Sequence, residues 1–165
     1  MSEQRSFLKP GTRIRLECGN SYEITGTPVG SGGGSLLYPA ERIYEHNGNI
    51  TRDGIAYVLK ECYPLSDKHH FVRDEYGEVI PADESSSGAF YLNRVREMQM
   101  DEKRITQKIY LTGSRLLPIL EADNTVTIST TEGNSAKIHN TFTVMESLSA
   151  KGKSLSTYIK EYERL

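Results

Sequence analysis

The chain has 165 residues, of which 36% are hydrophobic and 25% charged, with no Trp and a formal charge of -2. That length predicts one compact domain with a real core, and the charge argues against a nucleic-acid partner, whose phosphates need a basic surface. No apolar run reaches the length of a membrane span, and "MSEQRSFLKPG" lacks the apolar core of a signal peptide.

The two cysteines, Cys18 and Cys62, read as reduced thiols of a cytoplasmic protein, because a domain of this size needs no staple. In chain order, "GTRIRLECGNSYEITGTPV" predicts a lead-in strand, a turn at Gly19-Asn20 and a second strand. The glycine stretch follows, and then "LLYPAERIYEHNG", a strand in which Pro39 should mark an edge or an irregularity. Asn47-Gly48-Asn49 signals a turn, and "GIAYVLKECY" is the strongest strand of the chain. Residues 1–63 thus form an antiparallel meander with a glycine-rich loop.

Residues 64–89 are polar and read mainly as an insertion loop, with Glu75-Tyr76-Gly77-Glu78 as the tip of a small hairpin. Residues 90–110 have helical period without Pro or Gly, and Ser85 to Ser87 offer N-caps. Leu92, Val95, Met98, Ile105 and Ile109 fall on one helical face, with Glu102 in the gap of that stripe. A charge on a packing face is costly unless paired, so Glu102 needs a cation. Its rival Glu97 sits among Asn93, Arg94 and Asp101, on the wet side. Two further strands and a link occupy 115–148, and 149–165 reads as the start of another helix.

"VGSGGGSLLYPA" is the segment on which function turns. A flexible spacer needs a folded module on each side, and the residues before Gly30 are too few for an independent core. Strand-like segments also abut the glycines directly, which fits a structured hairpin. Glycines approach phosphates closely because no Cβ intervenes. A P-loop is excluded by the lack of a following Lys, and a Rossmann turn by the lack of a following helix.

The spacing resembles the glycine hairpin of protein kinases, Gly-x-Gly-x-x-Gly followed by x-Val-Tyr-x-Ala. Gly30, Gly32, Leu37, Tyr38 and Ala40 occupy matching positions, with Ser35 in place of the third glycine. "YVLK" then corresponds to the Val-Ala-Ile-Lys strand, with Lys60 as the phosphate-holding lysine and Glu102 as its helical partner. "NTFTVMESLSAKGKSLSTYI" is similar to the last strand and hinge, with Met145 as gatekeeper and Glu146 and Leu148 bonding the adenine edge.

Together these matches make the chain resemble the N-terminal lobe of a protein kinase of the serine/threonine type. The resemblance implies an α+β fold, a twisted five-stranded antiparallel sheet with one long helix, the C-terminal lobe being absent. It implies ATP as cofactor, with Val29, Leu37 and Val58 as the adenine ceiling and the backbone of Gly30, Gly32, Gly33 and Gly34 over the phosphates. Magnesium is expected only with the missing lobe, since neither His-Arg-Asp nor Asp-Phe-Gly occurs in the chain. No metal site is expected otherwise. His69 and His70 lack ligand neighbours and read as exposed.

The expectation is therefore a catalytically inactive piece of a longer kinase that phosphorylates protein hydroxyls, partnered by that lobe and a protein substrate. The competing reading is a free-standing, non-catalytic nucleotide- or protein-binding module.

Overall fold

The computed structural model describes residues 4–111 and 119–147. The first hairpin joins β1 (Arg13–Leu16) to β2 (Ser21–Ile24), and β3 (Gly30–Ser31) leads through the glycines into β4 (Ser35–His46). β5 (Asn49–Cys62) returns across a two-residue turn. Asn47 and Gly48 have φ of 52 and 76, the left-handed pair that a tight hairpin needs, and these residue types tolerate it. Beyond come β6 (Phe71–Arg73), β7 (Val79–Pro81), the helix α1 (Ser86–Leu111), β8 (Glu121–Ser129) and β9 (Ser135–Glu146).

The fold is α+β, with antiparallel pairing throughout and one helix among the described residues. The expectation of a five-stranded sheet is corrected: the main sheet has seven strands in the order β2-β1-β8-β9-β5-β4-β3. An additional β2–β4 pairing makes this order a ring. The lead-in strand is responsible, because β1 pairs with β2 on one edge and β8 on the other, with Ile14 opposite both Tyr22 and Ile128. Six staves close into a barrel, and β3 pairs onto β4 beyond β2.

Alternation does the rest. Residues of one parity in each stave point inward, so Ile14, Tyr22, Ile24, Tyr38, Leu59 and Val144 are nearly inaccessible in a common core. Burying each such side chain is worth about 1.5–3 kcal/mol.

Pro39 lies mid-strand, opposite Val58, where its missing N–H would break a ladder. The partner strand accommodates it: Thr25 N–H bonds the Pro39 carbonyl and Val29 N–H bonds Leu37 O, and the residues between them, 26–28, leave the ladder. The proline therefore sets a break in its neighbour.

The 64–85 region is more ordered than a loop. β6 and β7 form a hairpin, and Arg73 inserts from it toward the barrel. Its guanidinium bonds both oxygens of Glu61, at 2.5 and 3.0 Å, and stacks on Tyr63. Tyr38 donates to the same carboxylate at 3.0 Å. Glu61 is wholly inaccessible, so this pair supplies the hydrogen bonds that a buried carboxylate requires. Burial and the adjacent Glu61 push the Tyr38 phenol well above its usual range. The sequence offered no signal for Arg73, because its partner lies on a different strand.

The serines cap the helix, Ser85 Oγ accepting the Gly88 N–H at 3.2 Å, but the helix starts at Ser86, inside the expected 64–89 loop and ahead of the expected start at residue 90. Its packing face differs from the expected stripe. Leu92 is buried and Val95 packs on the core, but Met98, Ile105 and Ile109 are exposed. Arg96 and Gln99 take the buried positions instead. They are admitted because each finds acceptors: Val79 O, Asn140 and Asn93 for Arg96, and Gly34 O for Gln99.

Candidate functional site

Four strands bring the predicted site residues to one outer face of the barrel. Residues directly opposite in an antiparallel pair share a face. Leu37 lies opposite Lys60, and Lys60 opposite Thr143; one step along, Pro39 lies opposite Val58, and Val58 opposite Met145. Leu37, Val58 and Met145 therefore flank Lys60 on the same surface, all half-buried. Val29 lies at the end of the break between β2 and β3 and is 65% exposed. Glu146 pairs with Tyr57 at the end of β9, and Ser147 N–H continues the ladder to Ala56 O. Leu148 and 149–165 lie outside the described residues, as do 115–118.

α1 covers one end of this face. Lys60 Nζ lies 2.6 Å from Glu102 Oε2, with the lysine side chain 18% exposed and the glutamate 44%. The two residues are 42 apart in sequence, and sheet and helix must both be in place for them to meet. Glu97 instead bonds Arg94 on the open side of the helix at 2.9 Å. Beside Lys60, the Thr143 hydroxyl is buried and has no hydrogen-bond partner among the described residues.

The glycine hairpin is tightly tethered. Gly32 N–H bonds Ser35 O at 3.0 Å, making Gly33-Gly34 the tip. The carbonyls of this turn all find donors on the body of the protein. Gly32 O accepts from Arg5, Gly33 O from Leu65 N–H, and Gly34 O from both Tyr63 N–H and Gln99. In a planar trans peptide the C=O and the next N–H point in opposite directions. The N–H groups of Gly33 and Gly34 are thus turned away from those donors, and neither has a partner among the described residues.

None of the four glycines adopts a positive φ. A Cβ at Gly32 or Gly33 would meet nothing within 4 Å, and at Gly34 it would make ordinary contacts. The fold itself therefore does not demand glycine at the tip. What glycine supplies there is bare, approachable backbone.

The thiols differ sharply. Cys18 is exposed, whereas Cys62 is fully buried and burial pushes its thiol up to about 12. His69 is half-buried with its ring 5.4 Å from Tyr91, contrary to the expectation of exposure, and His70 is exposed. The aromatic wall of Phe71 and Tyr91 explains the difference.

Among the described residues no helix is long and apolar enough to cross a membrane. Nor does any group of three or more His, Cys, Asp and Glu among them have the arrangement to hold a metal ion. Comparison with protein-family models, curated proteins and solved structures finds no match to this chain.

Proposed function

We propose that this chain is the nucleotide-binding small lobe of a cytoplasmic serine/threonine protein kinase. The carrying observation is the Lys60–Glu102 contact at 2.6 Å, made on the face that also bears Leu37, Val58 and Met145. An ammonium fixed by a carboxylate beside an apolar surface suits a ligand with a flat base and a polyanionic tail. Lys60 would hold the α- and β-phosphates of ATP, and Glu102 would hold Lys60.

Leu37 and Val58, with Val29 at the rim, would cover the adenine. Met145 would limit the depth of the pocket, and the backbone of Glu146 and Leu148 would read the adenine edge. The unpaired N–H groups of Gly33 and Gly34, with Gly30 and Gly32 shaping the hairpin, fit an anionic ligand. ATP thus fits the residues present. Magnesium would be held by carboxylates of a second lobe, since the described residues bring no three such ligands together. Transfer of the γ-phosphate to protein hydroxyls would fall to a complete kinase carrying a second lobe and its catalytic base. This chain by itself would be inactive.

A second reading, a free-standing non-catalytic module, draws on one observation. β1 seals the sheet into a ring, so the barrel has its own closed core.

The test is an amide NMR titration of the 165-residue chain with ATP. Shifts should concentrate at Gly32–Leu37, Val58–Lys60 and Met145–Glu146 and saturate in the millimolar range, and Lys60→Met should weaken binding about tenfold, roughly 1.4 kcal/mol. No shifts at those residues would refute the nucleotide site. Micromolar affinity would favour the free-standing module, since a small lobe alone would offer a nucleotide only one side of a kinase pocket.

A further inference from the structure

We infer that Arg5 is a positioning residue for the nucleotide site: its guanidinium orients the glycine hairpin so that backbone N–H groups, not carbonyls, face a phosphate. This rests on the nucleotide reading of the preceding section.

Arg5 belongs to the segment before β1 and is 6% exposed. Its Nη1 donates to three carbonyls, two from the arms of the hairpin and one from the chain just after β5: Gly32 O at 3.1 Å, Ser35 O at 3.2 Å and Tyr63 O at 2.7 Å. A buried guanidinium needs several acceptors to offset its lost hydration. Here those acceptors are the backbone of the turn itself, and the cation works as a three-way tie between β4, the chain after β5 and the glycine tip.

The tie has a directional consequence. A Gly-Gly turn has little steric preference, so its peptide planes can rotate at small cost. Rotating the Gly32–Gly33 plane would bring the Gly32 oxygen outward, against an anion, and would take the Gly33 N–H out of reach. By holding Gly32 O, Arg5 fixes that plane in the orientation that suits an anion. Leu65 N–H and Gln99 fix the next two planes in the same sense. The ordering is completed before a ligand arrives, which is how preorganisation raises affinity. The charge also lies on the protein side of the turn, so it attracts phosphate through the turn without competing for its oxygens.

The effect should distinguish phosphate from base. Arg5→Ala should weaken ATP and ADP about tenfold while leaving adenosine within about twofold, because only the phosphates use the oriented turn. Arg5→Lys keeps the charge and has three donors on one nitrogen, but that nitrogen sits one bond closer to the backbone than Nη1, so the variant should fall between. Guanidinium ion added to Arg5→Ala should restore part of the ATP affinity. Titration by amide NMR reads all of these at millimolar affinity.

Hydrogen exchange supplies a readout independent of nucleotide. Arg5→Ala should speed exchange at Gly32, Tyr63 and Leu65, while strand amides of the core keep their protection. Unchanged exchange at those three amides overturns the tie. Equal loss of ATP and adenosine affinity, or global unfolding of both variants, reduces Arg5 to a structural residue and overturns the positioning role. Faster local exchange together with no ATP binding by the unaltered chain refutes the nucleotide reading and, with it, the role inferred for Arg5, leaving only the tie.

Discussion

Replacing Arg73 by Met would leave the Glu61 carboxylate inside the barrel with Tyr38 as its remaining partner. Met keeps much of the stem that packs on Tyr63 and removes the guanidinium, which makes two bonds to Glu61 at 2.5 and 3.0 Å. At an effective dielectric of about 20, unit charges about 4 Å apart attract by about 4 kcal/mol. Removing one partner of a buried pair typically costs about 3–5 kcal/mol, because the other charge is stranded. Glu61 is 0% exposed and Arg73's side chain 9%, so the buried figure applies and the surface one does not. Against a total stability of about 5–15 kcal/mol, the loss should be plain in a urea melt followed by circular dichroism. Glu61→Gln combined with Arg73→Met should recover most of it, since no charge is then stranded. A cost below about 1 kcal/mol for Arg73→Met alone would match an exposed ion pair and would refute the view that this hairpin docks on the barrel through a desolvated contact.

Iodoacetamide should alkylate Cys18 alone in the native protein, because the Cys62 thiol is buried and pushed up to about 12; two rapid additions by mass spectrometry would contradict that burial. Burial raises the Glu23 carboxyl, but hydrogen bonds from Arg52 and Arg13 outweigh it and hold the group below 4.5. Its folded form binds fewer protons than the unfolded one there, so its contribution is present above pH 4.5 and is lost as pH falls through the folded value; Glu23→Gln should flatten that part of the acid limb in pH-dependent melts. Deleting residues 1–17 removes β1 and bares the edges of β2 and β8, and size-exclusion chromatography should show association through them. A monodisperse, fully stable product would show that closure is dispensable.

Local chemistry was readable and long-range partnership was not. Asn47-Gly48 announced the β4–β5 hairpin because its backbone angles are nearly reserved for such residues. The need of Glu102 for a cation followed from the cost of a bare charge near a packing face, and Lys60 meets it in the structure. The apolar count on the helix misled, because Arg96 and Gln99 are paid in hydrogen bonds by Val79, Asn140 and Gly34, which lie far off in sequence. The role of the 64–85 segment was hidden for the same reason: Arg73 has meaning only opposite Glu61. The ring closure left no local trace, since "RIRL" reads alike as a free lead-in or as a stave. The orientation of the glycine turn was equally silent, because Arg5 is a single charge in an otherwise polar leader.

The ring also dictates an order of assembly. Arg13 pairs with Ser129, so β1 must wait for β8, more than a hundred residues later in synthesis, before its second edge is satisfied. Contacts that span so much chain close slowly, because the entropy of a long loop is spent before any contact rewards it. During synthesis β1 and β2 can form only a marginal two-stranded hairpin, and the barrel cannot shut until β8 leaves the ribosome. The slow step of folding should therefore be the docking of β8 against β1, and substitutions at Ile14 or Ile128 should slow refolding more than equally costly ones in the β4–β5 hairpin.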